Sequence, residues 1–294
     1  MSKKNVILIV DDIPSNVQIL ANILKDEYAI KVATDGKRAV ELAQQEPQPD
    51  LILLDVVMPD MDGYDVCSAL NDMGNTKDIP IIFVTANDSV EDEERGLNLC
   101  AVDYITKPVN SAIVKARVKT HITIKRQYDE LKFMALHDKL TGLYNRHYLM
   151  DEADRKISSA LRKNEPLTIM MADIDHFKCI NDNHGHLVGD KVLIAVAAAL
   201  DKNKRAVDFV SRYGGEEFVT IFDNCNIEDA KLKAEKIRVA IESLNPENLT
   251  VTSSFGLVQL NSNHHNFDSL LKDADEALYE AKNSGRNRVV VYEN

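Results

Sequence analysis

The feature that most constrains how this chain can fold is a set of three short apolar runs and a fourth, mixed one, each followed at once by polar residues. Val6-Ile7-Leu8-Ile9-Val10 leads into Asp11 and Asp12, and Leu51-Ile52-Leu53-Leu54 into Asp55. Ile81-Ile82-Phe83-Val84 leads into Thr85, and Asp103-Tyr104-Ile105-Thr106 into Lys107-Pro108. Unbroken apolar runs of this length suit strands covered on both faces, the usual condition in a parallel sheet. Between them lie stretches that read as helices, such as residues 15–26 and 36–45. Alternating strands and helices build a doubly wound parallel α/β sheet, whose ligands bind beyond the carboxyl ends of the strands. One acid after one strand is more often a helix cap. Three acids, a hydroxyl and a lysine at one edge are harder to explain that way.

Residues 111–137 contain neither Gly nor Pro and read as one long helix. Val114, His121, Ile124, Tyr128, Leu131 and Ala135 follow steps of seven, three and four residues, a heptad-like seam. A plain amphipathic helix packed on its own domain fits these residues equally well. As a seam, the helix would dimerise and carry a signal onward. His121 is expected to be an exposed helix residue.

The second half is organised around Arg212-Tyr213-Gly214-Gly215-Glu216-Glu217-Phe218, with alternating polar and apolar residues on either side. A Gly-Gly pair supplies the positive φ angles of a two-residue hairpin turn, which leaves two acids at the turn's exit in need of a positive partner. Alone, this reads as a solvated hairpin tip. Upstream, however, Leu167-Thr168-Ile169-Met170-Met171-Ala172 forms a second strand ending in Asp173, with Asp175 two residues on. Carboxylates gathered without His or Cys favour Mg²⁺ or Mn²⁺ over zinc. Two such ions are the common solution for phosphoryl or nucleotidyl transfer. His176-Phe177-Lys178 at a helix start offers N–H groups and a cation to a phosphate. A turn over residues 138–146 leads into a helix over 146–162. Leu270, Leu271, Ala274, Ala277, Leu278 and Ala281 recur at helical spacing before a capping Gly285, bracketed by Lys282 and Arg286. Taken singly, each of those cations would be merely solvated.

Composition narrows the partners. A chain of 294 residues suits two domains with separate cores. Its net charge of −12 argues against nucleic-acid binding, which needs a basic face. The four cysteines, Cys67, Cys100, Cys179 and Cys225, show no CxxC spacing, so neither a zinc site nor a disulfide is expected. The longest apolar run falls far short of the roughly 18 residues of a membrane span, and Met1-Ser2-Lys3-Lys4 does not open a signal peptide. The expectation is a cytoplasmic protein with reduced thiols.

Residues 1–125, with Met58-Pro59 and Asp62-Gly63 after Asp55, resemble the receiver domain of two-component response regulators. The resemblance implies a five-stranded parallel sheet with Asp55 as phosphoacceptor, and Asp11, Asp12 and Asp55 holding Mg²⁺. It also implies Thr85 and Lys107 on the phosphoryl oxygens, Tyr104 as switch aromatic, a cis peptide before Pro108, and a histidine kinase or phosphorelay upstream. Residues 111–137 would be the connecting signalling helix.

Residues 130–294 resemble the GGDEF domain of diguanylate cyclases. The matches are Asp138 to Arg146, Asp173-Ile174-Asp175-His176-Phe177-Lys178, Asn181-Asp182, Gly185-His186, Gly189-Asp190, Gly214 to Phe218, Ala281-Lys282 and Gly285-Arg286-Asn287. This implies an α+β fold similar to nucleotidyl cyclases and polymerase palms. It implies condensation of two GTP into cyclic di-GMP with release of two pyrophosphates, across a two-fold homodimer. Asp173, Glu216, Glu217 and the Ile174 carbonyl would bind the metals, with Glu216 also helping to deprotonate the 3′-hydroxyl. Gly214 and Gly215 would let the backbone approach the nucleotide, and Phe177, Lys178, Lys282 and Arg286 would hold phosphates. Asn181 and Asp190 would read guanine, Asp190 as a pure acceptor for its N1–H and N2–H₂; the same Asp190 can also be a helix cap. Arg205 and Asp208 match the family's product-inhibition site, with Arg238 as a secondary contact, although Arg-x-x-Asp alone is more often a surface ion pair. The alternative is a catalytically silent receptor that keeps Arg205 and Asp208 to bind cyclic di-GMP. With so little chain after Asn287, no phosphodiesterase domain is expected.

Overall fold

In the computed structural model, residues 4–86, 100–262, 264 and 266–293 are described. The chain divides into two compact units, Met1–Leu131 and Lys132–Asn294.

The first unit holds a five-stranded parallel sheet in the order β2-β1-β3-β4-β5. Its strands are β1 (Val6–Val10), β2 (Ala29–Ala33), β3 (Leu51–Asp55), β4 (Ile81–Thr85) and β5 (Asp103–Thr106). Every residue of β1, β3 and β4 is buried, as expected of strands with helices on both faces. The described helices are α1 (Pro14–Leu24), α2 (Gly36–Gln44) and α3 (Gly63–Asp72), followed by the long α4 (Ser111–Leu136). Local chemistry sets their starts. Pro14 occupies the first turn of α1, Asp35 caps α2 through the Arg38 N–H, and Asp62 and Asp65 form a reciprocal capping box on α3.

Two expectations change here. Cys67, buried on α3, is joined to Cys100 in a disulfide across 33 residues of sequence, with the Cα atoms 6.2 Å apart. Sequence spacing did not suggest this pairing, because the fold alone brings α3 beside the entry to β5. His121 is mostly covered: its Nε2 lies 3.0 Å from Asp103 Oδ2. On α4, Val114, Val118 and Ile122 are buried, whereas Ile124, Tyr128, Leu131, Phe133 and Met134 are exposed. The first half of the helix is therefore amphipathic and packed on its own domain. The seam residues are exposed only beyond it.

The second unit has a mainly antiparallel sheet in the order β10-β9-β6-β8-β7. Its strands are β6 (Thr168–Ile174), β7 (Phe209–Gly214), β8 (Glu217–Phe222), β9 (Ser253–Gln259) and β10 (Val289–Val291). Its helices are α5 (Arg146–Lys163), α6 (Phe177–His184), α7 (His186–Lys202), α8 (Ile227–Glu242) and α9 (Phe267–Asn283). Central β6 is buried throughout, and its alternation divides the core. Met170, Ala172 and Ile174 pack in one apolar cluster with α7 and α8 residues, while Ile169 and Met171 pack in another with α5 and α9 residues. Among the described residues, no helix is long and apolar enough to cross a membrane.

Candidate functional site

At the carboxyl edge of the first sheet, ligand oxygens of Asp11, Asp12 and Asp55 all lie within 4.8 Å of one another. Lys107 Nζ donates to Asp11 Oδ2 at 2.8 Å and to Asp55 Oδ2 at 2.7 Å. An all-oxygen donor set of this kind fits a hard divalent cation. Burial pushes the Asp55 carboxyl above its ordinary value, although Lys107 pulls the other way. Thr85 is buried at the end of β4, and its carbonyl accepts the Lys107 N–H at 2.8 Å. The Lys107–Pro108 peptide is cis, as expected. The Arg117 guanidinium lies 5.4 Å from the centre of the Tyr104 ring, and Arg117 also pairs with Asp103.

In the second unit the hairpin between β7 and β8 turns one residue later than the sequence suggested. Gly215 and Glu216 form the turn, Gly214 pairs with Glu217, and the register shifts between Arg212 and Gly214. Of the two glycines only Gly215 has a positive φ, 49°. A Cβ added at either Gly214 or Gly215 would meet nothing within 4 Å, so this edge is open to a ligand. Glu217 stands directly opposite Asp173 in the β6–β8 ladder, and the Ile174 N–H donates to the Glu216 carbonyl at 3.4 Å. Asp173 lies inside β6 rather than after it.

Burial holds the Asp173 carboxyl above its ordinary value against the pull of Lys282, and nearby acids add to the rise. Glu217 is raised as well, by burial and then by Asp173. Lys282 Nζ lies 2.8 Å from Asp173 Oδ2, so the lysine expected at phosphates balances this acid. Among the described residues, the only group of three or more His, Cys, Asp or Glu with ligand atoms all within 4.8 Å is the one in the first unit, so Asp173, Glu216 and Glu217 do not gather as tightly.

The other expected residues are divided. The Phe177 side chain is 7% exposed and packs in the core, so only its backbone can meet a phosphate, while Lys178 and Arg286 are exposed. Asn181 Oδ1 is buried without a hydrogen-bond partner. It occupies the space that a Cβ on Gly189 would need, 1.9 Å from it. A buried orphan acceptor is costly and invites a donor. Asp190, the next residue, is half-buried within α7 and not a cap. Arg205 and Asp208 bind each other: the Arg205 N–H and Nε reach Asp208 Oδ2 at 2.9 and 3.4 Å, and Lys233 adds a contact at 3.2 Å. Asp208 Oδ1 is buried and unpaired. Arg238 is engaged with Glu235, Glu242 and Asn287.

Two groups had no assigned role in the sequence. Arg212 Nη1 grips both oxygens of Asp138 at 3.1 and 3.2 Å, while its Nε and Nη2 hold the Gly215 carbonyl. Asp175, 5% exposed, accepts hydrogen bonds from Thr252, Ser254 and the Asn287 N–H. Neither set has a fixed spacing along the chain; only the folded sheet joins them.

The family model for the diguanylate cyclase GGDEF domain matches residues 135–288, more than half of the chain. The model for the response regulator receiver domain matches residues 7–119. Response regulator PleD of Caulobacter vibrioides is 34% identical over 297 residues, covering 97% of this chain and 65% of PleD, so the chain spans a little under two thirds of that relative's length. The GGDEF domain of DgcB from Caulobacter crescentus, solved in complex with c-di-GMP, is 35% identical with a TM-score of 0.52, covering 54% of this chain and 97% of that one. The active GGEEF domain of a diguanylate cyclase from Vibrio cholerae is 34% identical with a TM-score of 0.50, covering 51% and 97%. The chain belongs to the diguanylate cyclase GGDEF-domain family and carries a response regulator receiver domain ahead of that domain.

Proposed function

We propose that the chain is a phosphorylation-controlled diguanylate cyclase that condenses two GTP into cyclic di-GMP and two pyrophosphates across a two-fold homodimer. The single observation that carries this reading is the pairing of Glu217 with Asp173 across the β6–β8 ladder, beside a turn whose glycines leave open space. Asp173, Glu216, Glu217 and the Ile174 carbonyl would hold the divalent ions, Mg²⁺ or Mn²⁺. When bound, these ions supply charge neutralisation at the phosphates and a more acidic 3′-hydroxyl.

This chain's own groups do the rest. Glu216 accepts the 3′-hydroxyl proton; the new bond forms from O3′ to the α-phosphorus of the facing GTP, and the α–β bridging bond breaks to release pyrophosphate. The Asn181 Oδ1 and Asp190 carboxylate accept from the guanine N–H groups, which supports guanine over adenine. Lys178, Lys282 and Arg286 would hold the phosphates, Lys282 exchanging its contact with Asp173 for the triphosphate. One site holds one GTP, so each 3′-hydroxyl needs a phosphate presented by the partner.

In the receiver, the Asp55 carboxylate attacks the phosphorus of a donor such as the phosphohistidine of a kinase; the O–P bond forms as the N–P bond breaks and returns the histidine, and Lys107 and Thr85 contact the aspartyl phosphate. Dimers are then created or reoriented, a population shift. Product binding at Arg205 and Asp208 would limit output, and the unpaired Asp208 Oδ1 supports that role. The test is product formation from GTP and Mg²⁺ with and without beryllofluoride, with mass recorded in solution. Cyclic di-GMP should rise with dimer content. Product that ignores the mimic would remove the switch, and cyclic di-GMP binding without turnover would replace the enzyme by a receptor.

A further inference from the structure

We propose that Asp175 is a positioning residue that fixes the phosphate-facing turn after α9 against the strand end bearing Asp173; this rests on the cyclase reading for the role of Arg286. Gly285, Arg286 and Asn287 have φ of 113°, 62° and 45°, three successive left-handed residues of which two carry side chains. Such a turn persists only where its surroundings hold it.

The Arg286 N–H is bound to the Ala281 carbonyl at 3.1 Å, which completes the helix end. The Asn287 N–H goes to Asp175 Oδ2 at 3.1 Å. Thr252 Oγ1 donates to that same oxygen at 2.8 Å, and Ser254 Oγ donates to Oδ1 at 2.7 Å. The Asp175 N–H returns a bond to the Thr252 carbonyl at 2.9 Å. One buried carboxylate, two residues beyond Asp173, thereby joins β6, the start of β9 and the turn that presents Arg286. The Asn287 side chain extends the same link to α8 through Arg238 at 2.9 Å and Glu242 at 2.8 Å. Only a carboxylate has acceptors enough for all three donors.

The test is a double-mutant cycle on the full chain using D175N, R286A and the pair. Affinity for a non-hydrolysable GTP analogue is read separately from turnover, together with amide exchange at Asn287. D175N is expected to weaken analogue binding roughly tenfold, to raise KM more than it lowers kcat, and to speed Asn287 exchange, while the pair binds no worse than R286A alone. Additive losses, or faster exchange with unchanged affinity, would overturn the proposal and leave Asp175 a purely structural group. A wild-type chain that binds the analogue without making product sinks the cyclase reading, yet the binding cycle still decides this one. A wild-type chain that does not bind the analogue overturns both. Should D175N fail to fold, T252V, which removes one donor to the same oxygen, is expected to give the same coupling to Arg286 at a few-fold amplitude; additivity there would overturn the proposal.

Discussion

Single residues carry most of the proposed chemistry, and three of them give separable predictions. Glu216 sits in the turn rather than in the sheet, so Glu216→Gln should cut cyclic di-GMP synthesis by more than roughly 100-fold, since even second-sphere metal partners cost up to that much. Its melting temperature should stay close to wild type, which calorimetry can check beside the turnover assay; wild-type-like turnover would sink the metal assignment. Gly189 faces Asn181 Oδ1 at a distance that no Cβ tolerates. Gly189→Ala should therefore displace that amide and raise KM for GTP about tenfold, the scale of one good base contact.

Asp138 titrates in the opposite sense to Asp173. Burial alone would lift its carboxyl, but the Thr141 hydroxyl and N–H and the Arg212 guanidinium outweigh burial and hold it below its ordinary value. A depressed carboxyl contributes stability that is complete above its unfolded value, near 4, and is lost as pH falls through the lower folded value. The stability gap between wild type and Asp138→Asn should thus stay flat, at about 1–2 kcal/mol, from pH 5 to 8, and close only in stronger acid. Thermal unfolding across that range measures it.

At the scale of elements, α4 changes character along its length. Its first half is fixed by Val114, Val118 and Ile122 in the receiver core, while Ile124, Tyr128 and Leu131 are left exposed. Exposed apolar residues spaced like a seam suit a second copy of the same helix. Leu131→Asp should weaken self-association at least tenfold without unfolding the receiver, as sedimentation would report; an unchanged dimer constant would remove the seam. From the last turn of α4, a ladder of stacked rings, Phe133 on His137, His137 on Tyr144 and Tyr144 on Phe209, leads to β7. The Tyr144 carbonyl accepts the Arg212 N–H at 2.9 Å, and Arg212 holds Asp138 and the Gly215 carbonyl. The strand that ends in the Gly215–Glu216 turn is thereby tied to the residues that open the cyclase domain.

For the whole molecule, control by phosphorylation would require that receiver chemistry and cyclase chemistry meet in the assembly state. Asp55→Ala should abolish the response to beryllofluoride while leaving basal turnover of GTP unchanged; a response that persists would place the switch elsewhere. Much of this was legible in the sequence because it is local. Strand runs closed by Asp11, Asp55, Thr85 and Lys107 specify a parallel sheet and the edge that gathers these residues, since strand burial and strand ends are written in consecutive residues. The alternation around Gly214 and Gly215 marked the hairpin, and helical spacing marked α9.

What spacing could not give was every contact that depends on which elements become neighbours. The register of the hairpin put Gly215 and Glu216, not the two glycines, in the turn. The Cys67–Cys100 pairing, the covering of His121 by Asp103, the Arg212 clamp on Asp138 and the convergence of Thr252, Ser254 and Asn287 on Asp175 join residues far apart in sequence. Periodicity fixes which face of an element is buried. Only the packed sheet decides which polar groups share its edge, because a buried donor or acceptor takes whatever partner the tertiary fold brings within reach.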